Sequence, residues 1–148
     1  MFVPTIPFDP QRRLIQIAAL ASDGRRLVLQ MLVDTGASMT GLRASALLAL
    51  GIDPQTAERT LQLNTASGTM SVPVVIVPNL HVFGVSLVNV PVLCLPLPAA
   101  VGADGVLGND VLSHFWLFVH FRRGLLVAEQ VSNFWRRWRF WWQVMRAS

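Results

Sequence analysis

From Thr60 to Ala103 the chain carries no Asp, Glu, Lys or Arg, yet the same stretch holds Pro91, Pro96 and Pro98. An uncharged run of this length has to be buried in a core or to span a bilayer. The prolines decide between the two, because a spanning helix over Val82 to Val101 would have to absorb three breaks besides Asn89. A membrane span is therefore not expected, and the run reads as a series of short strands.

The neighbouring sequence agrees. Leu14 to Ala19 and Arg26 to Asp34 read as strands joined by Ser22-Asp23-Gly24-Arg25, where Asp-Gly supplies the positive φ of a tight hairpin. Leu61 to Asn64 and Met70 to Val77 flank a polar tip, Thr65 to Thr69, and predict a projecting hairpin. Further strands are expected over Leu80 to Phe83 and Val85 to Leu95, with Gly84 at a turn or bulge. A last hairpin, Phe115 to Phe121 and Leu125 to Glu129, turns at Arg122-Arg123-Gly124. Only Leu42 to Leu50, stopped by Gly51, and Asn109 to Ser113 have helical character. The expected class is all-β with one or two short helices, closed into a small barrel or sandwich.

At 148 residues one domain suffices, and the single cysteine excludes an intrachain disulfide framework and a multi-cysteine zinc site. Cys94 lies in the apolar run Val90 to Leu95 and reads as a small buried hydrophobe; a reducing compartment fits. Residues 1–131 hold eight arginines against eight acidic residues, whereas 132–148 hold four arginines and no acid. This divides the chain into a neutral domain, 1–131, and a basic Trp/Arg-rich tail, 132–148. With lysine absent, no nucleic-acid partner is expected. Met1 to Pro10 lacks the pattern of a secretory signal, so a cytoplasmic location is expected.

The residue that suggests chemistry is Asp34. It closes a strand in which Leu27, Leu29, Met31 and Val33 share one face, which puts its carboxylate at the mouth of an apolar core. Gly36 permits positive φ and close approach of a second backbone, Thr35 offers a hydroxyl beside the carboxylate, and Ala37 and Ser38 keep the loop small. Hydrolysis of an amide by acid–base means needs two carboxylates sharing a proton, since like charges a few ångström apart cannot both ionise. The chain has one such loop and no internal repeat, so a two-fold homodimer would supply the second.

Met31 to Ser38, followed about seventy residues later by Gly105-Val106-Leu107-Gly108-Asn109-Asp110-Val111-Leu112, resembles the retropepsin-like aspartic peptidases, the single-domain family that includes the retroviral proteases. The resemblance covers about Gln11 to Glu129. It implies a small closed acid-protease barrel, homodimeric, acting as an endopeptidase on peptide or protein substrates without metal or organic cofactor. It implies that Asp34 is the catalytic aspartate and that Thr35 bonds across the dimer axis. Gly36 and Ala37 would contact substrate backbone. Val106, Leu107 and Gly108 would support the loop from behind, and Ser67, Gly68 and Thr69 would form the substrate flap. The chain departs from the retroviral pattern at Ser38 and Asn109, which stand where that pattern has an Asp–Arg ion pair. Losing both partners together leaves no uncompensated charge.

The other polar residues have plainer readings. His81, His114 and His120 lack metal-ligand spacing with each other or with Cys94. Asp110 is expected to cap the short helix after Gly108, and Asp104 to sit in a turn. In the tail, Phe134, Trp135, Trp138, Trp141, Trp142 and Met145 make an apolar stripe at helical period. One reading is an amphipathic helix packed on the domain or its dimer partner; the other is a peripheral membrane anchor through 134–146. Two functional alternatives to the peptidase remain: a catalytically silent dimeric binding domain, and a membrane or partner adaptor acting through the tail.

Overall fold

The computed structural model describes residues 5–12, 14–131 and 144–146. Ten strands and two short helices follow one another as β1 (Thr5–Pro7), β2 (Leu14–Leu20), β3 (Arg26–Val33), β4 (Gly41–Leu42), α1 (Ala44–Ala49), β5 (Arg59–Thr65), β6 (Gly68–Val82), β7 (Val85–Cys94), β8 (Gly105–Leu107), α2 (Asn109–Leu112), β9 (Phe115–His120) and β10 (Leu125–Gln130). Seven strands form a sheet in the order β2-β3-β8-β4-β7-β6-β5, and a further pairing of β2 with β6 closes six of them into a barrel. β5 lies outside the ring, paired only to β6. The mostly-β barrel expected from the sequence is present.

The long strands of the barrel carry apolar residues on their inner faces. Ile15, Ile17 and Ala19 of β2 and Leu29 and Met31 of β3 point inward, joined by Val77, Leu80 and Val82 of β6 and Val90 and Val92 of β7. Each of the Val, Leu, Ile and Met side chains contributes about 1.5–3 kcal/mol by leaving water. Leu42, Leu47 and Leu50 plug the interior from β4 and α1. The helix ends where expected, with Gly51 at φ 79°.

The ribbon β6–β7 departs from the expectation of two separate strands on each side of residue 78. It is continuous, with Val77 opposite Val90 and Asn79 opposite Val88. Val77 and Leu80 are both buried with two outward residues between them, and Leu87 and Val90 likewise both pack on the core across outward Val88 and Asn89. Both arms thus exchange faces at the same level. Pro78 has no N–H to place in a ladder there, and Asn89 opposite takes a left-handed φ of 51°. The kink swings the far end of β6 against β2, where Ala18 meets His81 and Ala19 meets Leu80. The ribbon turns at Phe83-Gly84, both at positive φ, and the Phe83 ring packs edge-on against Phe115 with centroids 5.1 Å apart.

A second sheet, β1-β10-β9, closes the base of the barrel. Both faces of β10 are dry: Leu126 and Ala128 join the barrel core, whereas Val127 on the opposite face is covered by Val144 and Phe118. Of the tail, residues 132–143 and 147–148 lie outside the described residues, so neither the domain division at 131 nor the aromatic stripe as a whole has a structural counterpart here. The described part runs helically through 144–146, with Val144 buried and Met145, a member of the expected stripe, 75% exposed. This part therefore packs on the domain, and nothing among the described residues supports membrane contact through 134–146. No helix among them is long and apolar enough to cross a membrane.

Candidate active site

Asp34 follows directly on β3. Its backbone N–H donates to the Leu107 carbonyl at 3.1 Å, extending by one step the parallel pairing of Val33 with Leu107. The half-buried carboxylate is oriented by its own loop: Gly36 N–H donates to Asp34 Oδ1 at 2.8 Å, and Ala37 N–H donates to the Asp34 carbonyl at 3.2 Å. A Cβ at Gly36 would stand 3.1 Å from that same carboxylate oxygen, so a side chain there would make the carboxylate give by a few tenths of an ångström, whereas the positive φ expected of Gly36 is not taken.

The loop is clamped from the far side by α2. The first N–H groups of a helix have no partner within the helix, and here two of them are taken by the loop: Asn109 N–H donates to the Ala37 carbonyl at 2.8 Å and Asp110 N–H to the Ser38 carbonyl at 3.2 Å. Asn109 Nδ2 adds a third contact, to the Thr35 carbonyl at 2.7 Å. The Asn109 side chain thus ties down the loop backbone with a neutral amide.

The expectation that Asp110 caps α2 is overturned. Gly108 occupies the cap position, no side chain caps it, and Asp110 lies in the first turn. Its Oδ1 instead accepts from Thr40 N–H at 2.9 Å, Thr40 Oγ1 at 2.8 Å and Val111 N–H at 2.8 Å. Thr40 is fully buried and its hydroxyl oxygen accepts from Gly108 N–H at 3.1 Å. A relay Gly108 to Thr40 to Asp110 therefore locks β4 to α2 immediately behind the loop. No local pattern marks Thr40 for this part, because a single threonine ahead of a two-residue strand carries no signal of its own. A Cβ at Gly108 would lie 2.5–2.9 Å from the Met39–Thr40 backbone, so only glycine fits there.

Asp104 is likewise more than a turn residue. Its Oδ2 accepts from Gln30 N–H at 2.8 Å while its own N–H donates to the Gln30 carbonyl at 2.7 Å, and its carbonyl accepts from Arg43 N–H at 2.8 Å. It extends the contact between β3 and β8 one residue before β8 begins.

Asp34 to Ser38 and Val106 to Asn109 are thus brought together. Ser67, Gly68 and Thr69 stand apart at the tip of the β5–β6 hairpin, where Thr65 Oγ1 donates to the Gly68 carbonyl at 2.7 Å and Thr69 Oγ1 to Asn64 Oδ1 at 3.1 Å. Gly68 has φ 130° and open space on its Cβ side. No hydrogen bond among the described residues joins this tip to the Asp34 loop. Thr35 is exposed and its hydroxyl has no hydrogen-bond partner among the described residues. Cys94 is half-buried and packs against the barrel core; burial pushes its thiol above the ordinary value, as befits a small hydrophobe. No cluster of His, Cys, Asp or Glu among the described residues has the arrangement to hold a metal ion.

Comparison with known proteins matches residues 21–114 to a family model described as gag-polyprotein putative aspartyl protease. Among solved structures, the chain is similar to the crystal structure of a retropepsin-like aspartic protease from Rickettsia conorii, with a TM-score of 0.62 and 22% identity over 84% of this chain and 87% of that one. The solution structure of Simian Foamy Virus (mac) protease is also similar, at a TM-score of 0.44 and 17% identity over 66% of this chain and 91% of that one. No curated protein matches.

Proposed function

The chain belongs to the gag-polyprotein aspartyl protease family and has the retropepsin-like fold, and from that premise we propose that it is a homodimeric aspartic endopeptidase whose catalytic pair is formed by two Asp34 side chains, one from each copy. The observation that carries this reading is the Asp34 loop. Its carbonyls are held by α2 and one carboxylate oxygen by Gly36 N–H, while the Thr35 side chain is left exposed beside it. An exposed hydroxyl next to a held carboxylate suits a loop that meets its own copy on a two-fold axis.

In the proposed reaction the two carboxylates share one proton. The ionised one takes a proton from water as that water attacks the scissile carbonyl carbon, and the protonated one donates to the carbonyl oxygen. The resulting gem-diol then collapses: the carboxyl that took the water proton gives it to the nitrogen, the other carboxylate takes a proton from a diol hydroxyl, and the C–N bond breaks to leave the acid and the amine, with the pair again holding one proton. Thr35 would hydrogen-bond across the axis, Gly36 and Ala37 would meet substrate backbone, and Val106, Leu107 and Gly108 would brace the loop. Ser67, Gly68 and Thr69 would close over the bound peptide as a flap and exclude water.

The test is cleavage of a diverse peptide library, followed by mass spectrometry from mildly acidic to neutral pH, with sedimentation to give the oligomeric state. The wild type should cut as a dimer, and Asp34→Asn should lower the rate by at least about 10³-fold. A folded dimer that cuts nothing, or an Asp34→Asn variant that cuts equally well, would replace this proposal with a binding domain.

A further inference from the structure

A groove with no part in the proposed reaction lies on the outside of the barrel. β2 pairs with β3 along its whole length, but with β6 only at Ala18 and Ala19. The surface dips where the ladders diverge. Two adjoining cavities of about 280 and 190 Å³ lie over this seam and share Ala18, Arg26 and His81. Ala18 is on the outward side of β2 yet only 6% exposed, which makes it the floor. Beside it stand Leu20 and Val28, 43% and 59% exposed.

The rim is polar and one-sided in charge. Arg26 and His81 line both cavities, Gln16 lines one, and Asn79 and Ser86 line the other, where Asn79 Nδ2 donates to Ser86 Oγ at 2.8 Å. No Asp or Glu lines either cavity. The adjacent arginine is neutralised, since Arg25 Nε donates to Asp23 Oδ2 at 2.6 Å, whereas Arg26 forms no ion pair among the described residues. A guanidinium without an acid partner beside an apolar floor suits an occupant that brings both a carboxylate and aliphatic side chains. The groove runs along the outward face of β2, with Arg26 and Val28 of β3 on one side and Asn79 and His81 of β6 on the other, which suits an extended chain with side chains alternating between floor and rim.

We propose that this seam groove is a docking site for an extended segment of the protein substrate that alternates acidic and aliphatic residues. Calling the occupant a substrate rests on the peptidase reading above. Arg26 and Asp34 lie at opposite ends of β3, about 26 Å apart along the strand. A chain held at both places therefore needs at least about eight extended residues between the contact and the cleaved bond. The groove would favour whole proteins or long peptides over short ones and leave the chemistry at Asp34 unaltered.

The test uses full-length protein carrying Asp34→Asn, so that binding is read apart from cleavage. A fluorescein-labelled hexapeptide alternating Val and Glu is titrated by anisotropy at low and moderate salt, beside the same peptide with Lys for Glu. The Val/Glu peptide should bind saturably and more weakly as salt rises. Arg26→Glu should weaken it by about tenfold or more and give the Val/Lys peptide measurable binding. His81→Gln, a change on the same rim that keeps a hydrogen-bonding side chain, should weaken it by a smaller factor. Equal binding of the Val/Glu peptide to the parent and to Arg26→Glu, or equal binding of both peptides to the parent, overturns the proposal. So does the absence of binding. A protein that cuts nothing leaves these outcomes readable, because none depends on turnover.

Discussion

Replacing Thr40 by valine removes one hydroxyl and keeps the shape of the side chain, in a place where that hydroxyl is fully buried. Two hydrogen bonds disappear, the donation to Asp110 Oδ1 at 2.8 Å and the acceptance from Gly108 N–H at 3.1 Å. The first, to a carboxylate, is worth about 1.5–3 kcal/mol, and leaving the Gly108 N–H buried without a partner costs about 1–3 kcal/mol more. Part of this is offset because valine is cheaper to desolvate than threonine. A net loss of about 3 kcal/mol follows, which for a chain of 148 residues lowers the melting temperature by about 9 °C. Thr40→Ser is the control: it keeps both bonds and loses one buried methyl group, a cost of about 1 kcal/mol. Thermal and urea unfolding should be followed by circular dichroism at one fixed protein concentration, because self-association would add to the apparent stability. The two variants should separate clearly, with valine the worse. If valine costs no more than serine, the relay behind the loop is not what holds β4 to α2.

Asn109→Ala releases the Thr35 carbonyl while leaving the backbone clamp from α2 intact; the fold should survive, and kcat/KM on a cleaved peptide should fall by about 10–100-fold, mostly in kcat. Burial favours the protonated form of Cys94, so its reaction with a disulfide reagent at pH 7 should be slower than that of free cysteine, accelerating as pH rises toward the elevated pKa. The stability linked to that shift is complete below the ordinary thiol pKa and is lost as pH climbs through the raised one. Val144→Asp sets a carboxylate against Val127 and Phe118 and should cost about 2–3 kcal/mol by thermal melting, whereas Val144→Ile should stay within about 1 kcal/mol; equal melting of the two would deny the packing of the tail on β10.

What was legible in the sequence follows from the range of the forces involved. Hairpins are local, and those at Gly24, Gly84 and Gly124 stand where turn residues predicted them, each with its glycine at positive φ. The Asp34 loop was legible because a strand with one apolar face runs straight into it. β4 and β8, at two and three residues, are too short to carry a period, and exist because β3 and β7 offer them ladder partners on both sides. β1 pairs with β10 across almost the whole chain, which no local pattern announces. For Asp110 and Asp104 the local sequence points to the tasks such residues perform in isolation, a cap and a turn. Tertiary partners, Thr40 and Gln30, claimed their carboxylates instead. The break expected near Pro78 became a kink because Asn89 on the facing arm could adopt the matching left-handed backbone.

That kink has a bearing on how chains of this type can change length. The hairpin carrying Ser67 to Thr69 and the barrel wall are one ribbon, and the paired exchange of faces at Pro78 and Asn89 sets the phase between them. One residue added to a single arm would put every side chain beyond it on the opposite face, taking Val75 and Val77 out of the core. Insertions and deletions in this ribbon are therefore expected as matched pairs, one in each arm, or at the hairpin tip, where the phase is free to reset.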